Sequence, residues 1–253
     1  MMKRNMTRNT ITLTTFMVLA LAAPWADAAD PAALLKQIDD VEFAQKDMVS
    51  TATMKLTDSD GKQKVRKAKI WQLGDSKRMF KFLEPADVKN VGFLDLGEDV
   101  MYLYMPAFKK IRRIAGHIKN DTFMGTDFTY DDMGSTRLAE DYRPVKASQD
   151  GDHDVLELVP RDPDDKEYGK VMVHARRSDH HIVKMEFYDK AGKLWKVMTR
   201  GDYRPVGKYQ ISHFMEMKDL KKKHSTSMTM DEVSCDTGLK KSFFSQRQLK
   251  RRR

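Results

Sequence analysis

Few residues in this chain have the types and spacing that chemistry requires. Asp162, Asp164, Asp165 and Glu167 crowd into DPDDKEYG, but the offsets of an EF-hand are missing, and the proline and glycine mark a surface loop. His180 and His181 are adjacent, so in a strand they point to opposite faces and suit one metal ion poorly. Ser242 and Ser245 have no recognisable base. No G-x-S-x-G, H-E-x-x-H, phosphate-binding loop or dinucleotide fingerprint occurs. The thioethers form a better set. Met215-x-Met217 and Met228-x-Met230 each place two sulfurs on one side of a strand, with His213 on the face of Met215, a set that suits Cu(I). The 18 methionines are nevertheless spread through the chain among aromatics, which fits an adaptable apolar lining better than a metal centre. The expectation is a protein without catalysis, cofactor or metal that binds apolar surface.

The elements that must position such a lining are strands. Ser50–Thr57, Lys62–Leu73 and Lys77–Leu83 alternate apolar and polar residues and are separated by Asp58-Ser59-Asp60-Gly61 and Gly74-Asp75-Ser76, the grammar of hairpins. The pattern recurs at Asp154–Val159, Gly169–Arg176, His181–Tyr188, Leu194–Arg200, Gln210–Asp219 and Ser225–Val233. Successive strands without long intervening helices predict one meandering antiparallel sheet. Helix is expected over Pro31–Gln45, with Asp30 as N-cap, Pro31 at the first position and a stripe of Leu34, Leu35, Ile38, Val41 and Phe43. A single turn is expected at Ala86–Asn90 and a short helix at Thr126–Met133, capped by Thr126 or Asp127.

Methionine and phenylalanine take the inward places that valine and leucine usually hold. Phe80 and Phe82 alternate with Met79 and Lys81, Met185 and Phe187 with Lys184 and Glu186, and Met228 and Met230 with Ser227 and Thr229. A strand-like run begins at Met101, in which either Tyr102 and Tyr104 or Met101, Leu103 and Met105 face inward, because a one-residue slip exchanges the faces. The stretch FMGTDFTYDDM, Phe123–Met133, follows it. Its aromatics and methionines suit the inner face of a lid, with Gly125 permitting a sharp change of direction and Thr126, Asp127 and Asp131 facing water or capping.

The N-terminus carries an address. Lys3, Arg4 and Arg8 precede the apolar run Thr15–Ala23 and the sequence Ala26-Asp27-Ala28, the layout of a cleavable signal peptide over residues 1–28. The rest, residues 29–253, is expected to be one exported domain. Its only cysteine, Cys235, can form no internal disulfide, so stability rests on core burial. Of the formal net charge of +9, residues 1–28 carry +2 and residues 240–253 carry +7, which leaves the body near neutral. A basic tail on an exported protein suits anionic lipid headgroups or an acidic partner rather than nucleic acid.

Several of these segments resemble one family. Leu103-Tyr104-Met105-Pro106, Lys110-Ile111-Arg112-Arg113-Ile114 and Phe123-Met124-Gly125-Thr126-Asp127-Phe128-Thr129-Tyr130 are similar to motifs of the periplasmic outer-membrane lipoprotein-sorting proteins of the LolA-like superfamily. Phe82-Leu83-Glu84-Pro85-Ala86-Asp87-Val88-Lys89, Gly92-Phe93-Leu94 and Phe244-Ser245-Gln246-Arg247 extend the likeness over nearly all the chain. Arg251-Arg252-Arg253 is additional to it.

The resemblance implies a mainly β (α+β) fold: a curved, half-open antiparallel β-barrel with short helices covering its concave apolar face. It implies a periplasmic carrier that binds the acyl chains of a lipid or lipoprotein, with an inner-membrane exporter of the resistance-nodulation-division (RND) type and an outer-membrane acceptor as partners. A lipid sensor or docking protein that regulates a membrane partner is the alternative. The residues expected to meet lipid are Phe80, Phe82, Leu94, Leu103, Met105, Phe123, Met124, Phe128, Tyr130, Met133, Met185, Phe187, Met228 and Met230. Lys109, Lys110, Arg112 and Arg113 are expected to meet headgroups or an acidic partner. At about 0.8 kcal/mol per buried CH₂, a chain of about fourteen carbons supplies on the order of 10 kcal/mol before ordering costs.

Overall fold

The computed structural model describes residues 30–135 and 137–251. The expected signal peptide, residues 1–28, and the terminal Arg252 and Arg253 lie outside the described residues. The strands are Asp47–Thr57 (β1), Gln63–Leu73 (β2), Lys77–Glu84 (β3), Gly92–Asp95 (β4), Met101–Met105 (β5), Lys110–Ile114 (β6), Tyr142–Asp150 (β7), His153–Pro160 (β8), Lys170–Arg176 (β9), Ile182–Tyr188 (β10), Leu194–Val206 (β11), Tyr209–Asp219 (β12) and His224–Cys235 (β13). They form one 13-stranded sheet in the order β6-β5-β4-β3-β2-β1-β13-β12-β11-β10-β9-β8-β7, in which every pairing is antiparallel.

This strand order dictates a lid. The chain runs outward from β1 to the edge strand β6, and the next strand, β7, is the opposite edge. Residues 115–141 must therefore cross one face of the sheet. A sheet this wide coils under its own twist, and the connection crosses the face it coils around. Phe123, Phe128, Tyr130 and Met133 of the crossing join Ile70, Phe80, Met185, Met217 and Met228, from both wings of the sheet, in one buried cluster. Helix Pro31–Glu42 (α1) and the short helix Leu138–Asp141 (α2) complete the cover. Asp30 caps α1 by accepting from the Ala32 N–H at 3.0 Å, and Leu34, Leu35 and Ile38 are its buried stripe. The half-open antiparallel barrel with short helices over its concave face is thus the observed fold.

A second apolar cluster lies on the other face of β2–β5. Trp71, Met79, Leu94 and Tyr104 are covered there by Phe244 and by Leu249 of the helix Gln246–Lys250 (α3). Lys81, in the same phase as Met79, donates to the carbonyls of Gln248 at 3.2 Å and Arg251 at 2.8 Å, tying down this C-terminal strap.

Three expectations change, and one strand is found where none was expected. The run from Met101 is two strands, β5 and β6, folded back at Pro106–Phe108. Tyr142–Asp150 is a strand that its polar residues and Pro144 conceal; it is an edge strand, where proline is tolerated. The first helix ends at Glu42 rather than Gln45. Thr126–Met133 is not helical: the Phe123 N–H donates to the Phe128 carbonyl at 2.8 Å and closes a tight loop. Met124 and Gly125 take φ values of 49° and 76° in that loop, so the glycine serves its turn as expected.

Candidate functional site

The concave face and its cover enclose a cavity of about 280 Å³. Alternate residues of both wings supply its apolar wall: Ile70 and Phe80 on one side, and Val171, Met185, Phe187, Met198, Met215, Met217, Met228 and Met230 on the other. The lid contributes Phe128 and Met133. Cross-strand pairing explains the methionine stripe, since Met185 faces Met198, Met198 faces Met217 and Met215 faces Met228. Long unbranched side chains on neighbouring strands make a wall that reshapes at low cost.

The lid is fastened on every side. Thr126 and Asp127 are buried and do not face water. Asp127 accepts from the Thr226 hydroxyl at 2.7 Å and lies 2.7 Å from His224 Nδ1, while its carbonyl accepts from Lys196 at 2.8 Å. Arg66 donates to the Met124 carbonyl at 2.7 Å. Asp131, also expected at the surface, pairs with Lys166 at 2.8 Å, and Lys166 reaches Asp141 at 2.7 Å. Burial by itself would lower the pKa of Lys166, but the two carboxylates outweigh it and raise the value.

A polar strip crosses the cavity wall. Arg78 donates from Nη1 to the Gly134 carbonyl at 2.7 Å and the Met133 carbonyl at 3.3 Å, and from Nη2 to Gln72 Oε1 at 2.8 Å. Arg200 donates to Glu42 at the end of α1. Burial, with the like charge of Arg200 adding to it, holds the Arg78 pKa down at about 10, against the pull of Asp95 and Glu42. These charges were missed in the sequence, although a signal existed. Arg78 lies in phase with Phe80 and Phe82, and Arg200 in phase with Met198, so strand alternation alone places both on the inner face.

The expected lipid-contacting residues separate into three groups. Phe80, Phe128, Met133, Met185, Phe187, Met228 and Met230 line the cavity. Phe82, Leu103, Phe123 and Tyr130 belong to the same apolar cluster but are packed into its closed part, with Met105 and Met124 half-buried at its margin. Leu94 is a correction: Phe93 points inward, so Leu94, one residue on, faces the opposite side and packs beneath the C-terminal strap. Met101 and Leu103 face inward while Tyr102 and Tyr104 join the outer cluster. Lys109, Lys110, Arg112 and Arg113 are exposed at the edge strand β6 and its turn, and among the described residues they make no ion pair.

Comparison with known proteins places this geometry. The family model described as "-like: Uncharacterized protein" matches residues 74–251. No curated protein sequence is significantly similar. Among solved structures, a Vibrio parahaemolyticus domain assigned to outer-membrane lipoprotein sorting is 27% identical with a TM-score of 0.76, covering 88% of this chain and 100% of its own. A DUF1329 family protein of Desulfovibrio piger is 22% identical with a TM-score of 0.80, covering 87% of this chain and 97% of its own. A LolA superfamily protein of Nitrosomonas europaea is 19% identical with a TM-score of 0.73, covering 87% of this chain and 100% of its own.

Proposed function

We propose that this chain, which belongs to the family that its residues 74–251 match and has a LolA-like fold, is a periplasmic carrier of acyl chains. It carries a lipid or a lipidated protein between membranes, with an RND-type exporter and an outer-membrane acceptor as its proposed partners. The observation that carries this reading is the cavity lined by Phe80, Phe128, Phe187 and the methionines of β10–β13, roofed by a connection that the strand order makes obligatory. Such a wall gains free energy from burying chain methylenes and needs no reacting group. The Vibrio relative concerned with lipoprotein sorting and the export signal expected from the sequence of residues 1–28 support the same compartment.

Native mass spectrometry of the protein purified from its own periplasm, followed by solvent extraction, tests the reading. A lipid or acylated peptide should accompany the protein at one copy per chain. Protein that is ligand-free and also takes up no lipid from vesicles would overturn the carrier reading.

A further inference from the structure

The carboxylates and the guanidinium groups of the cavity wall differ in how far they are engaged. Its carboxylates are all engaged. Asp39 accepts from the N–H groups of Leu138 and Ala139, each at 2.9 Å. Asp131 and Asp141 share Lys166. Asp132 accepts from the Thr129 N–H at 2.8 Å and the Tyr168 hydroxyl at 2.9 Å, and Glu42 holds Arg200. The guanidinium groups are not fully engaged. All of the hydrogen bonds of Arg78 go to neutral oxygens, and its Nε is buried with no partner. Asp95, which reaches Arg78 through its field, is hydrogen-bonded to the N–H groups of Gly97 at 2.9 Å and Ser135 at 2.8 Å. Arg200 spends Nη1 on Glu42, and its Nε is likewise buried with no partner.

The charge of Glu42 reaches both guanidinium groups and that of Asp95 reaches Arg78, but neither carboxylate bonds to either Nε. Two orphaned guanidinium donors, the Nε groups of Arg78 and Arg200, remain in the cavity wall. Leaving a charged group in that state is costly, and an anion with several acceptor oxygens relieves it by matching the planar fork of each guanidinium.

We propose that the cavity receives an amphiphile with one anionic headgroup, a carboxylate or phosphate monoester, seated between Arg78 and Arg200 with its alkyl chain along the methionine wall. This rests on the carrier reading and adds the chemistry of the cargo to it. The headgroup is bound inside, rather than left at the basic edge strand β6. A cavity of about 280 Å³ lies at the small end of ligand pockets, which start near about 300 Å³, and so favours one chain over several.

The test uses the protein without residues 1–28, stripped of lipid and loaded with the fluorescent probe N-phenylnaphthylamine. Myristate, myristyl alcohol, methyl myristate and inorganic phosphate each compete for the probe. Myristate should displace it at least about tenfold more effectively than the alcohol or the ester, as a charge-assisted hydrogen bond implies, and inorganic phosphate should not displace it. Equal displacement by acid, alcohol and ester would overturn the headgroup site and leave the carrier reading standing. Failure of the probe and every chain to bind would overturn the carrier reading itself. Displacement by inorganic phosphate alone would mark a site for free anions and overturn the amphiphile. In the double variant Glu42→Gln/Arg200→Gln, which removes both charges together, the acid-to-alcohol ratio should fall towards one, and Arg200→Lys should retain part of it. An unchanged ratio in the double variant would place the selectivity elsewhere.

Discussion

Arg78 on the inner face of β3 donates to the carbonyl oxygen of Gly134 at 2.7 Å, so a charged side chain of the sheet holds the backbone of the lid. The bond is made by the one residue type that serves two carbonyls and a glutamine at once with a planar fork. Replacing it by methionine leaves the Met133 and Gly134 carbonyls without that donor, a local loss of about 1.5–3 kcal/mol, the worth of a hydrogen bond to a charged group. For Arg78→Met, amide hydrogen exchange over residues 119–135 should accelerate several-fold while the strands exchange as before. Unchanged exchange across the lid would mean that its other fastenings suffice.

Phe123 and Phe128 belong to the same lid stretch, yet their roles separate. Phe123 is fully buried amid Phe80, Phe82, Phe93 and Tyr130, at ring-centre distances of 5.5, 6.0, 5.6 and 5.4 Å. Phe123→Ala should therefore cost about 3–5 kcal/mol of stability, as the loss of a buried ring does. Phe128 lines the cavity, so Phe128→Ala should cost less and change chiefly the affinity for chains. Urea denaturation of both variants, paired with probe binding, checks the division. Equal stability losses would show that the lid packs as a single plug.

The sequence carried the hairpins because alternation and turn residues are local properties. It also carried the inward face of most strands: Phe80, Met185, Phe187, Met228 and Met230 reach the cavity where the pleat sends them. What it hid depends on contacts distant in sequence. Leu94 lies in a strand of only four residues, all buried, whose one charged residue, Asp95, is in phase with the inward Phe93, so polar alternation points the wrong way. Thr126–Met133 has the caps of a helix, but Asp127 spends its carboxylate on Thr226 and His224, about a hundred positions away in the chain. Arg78 and Arg200 were passed over because strand reading follows apolar residues, and a charge in the apolar phase is where that habit fails.

The strap on the outer face should be separable from the cavity. Leu249 is fully buried against Gly92, where an added Cβ would stand 2.6 Å from Leu249 Cδ1. Gly92→Ala must therefore displace the Leu249 side chain that anchors the strap, and Leu249→Ala should remove that anchor at a cost of about 2–5 kcal/mol. Limited proteolysis should cut both variants within residues 239–251 long before the wild type, with probe binding retained. Loss of probe binding in both would show that the outer cluster supports the cavity through the shared strands β2–β4.

Asp131 should leave a signature in the pH dependence of stability. Burial pushes its carboxyl up to about 6; Lys166 opposes this, and the like charges of Asp141 and Asp132 add to it. The folded protein therefore binds this proton more tightly than the unfolded chain, whose carboxyl titrates near the ordinary 3.8. Between these two values the folded state holds more protons, so the stability contributed by this group is complete below about pH 4 and is lost as the pH rises through about 6. Asp131→Asn removes the titrating group while keeping its size, and Lys166 retains Asp141 at 2.7 Å. Urea midpoints measured from pH 4 to 7 should fall with rising pH more steeply in the wild type than in the variant, and the variant should be no less stable at neutral pH. Parallel profiles would assign the slope to another carboxyl, such as Asp39 or Asp95, both of which burial also raises.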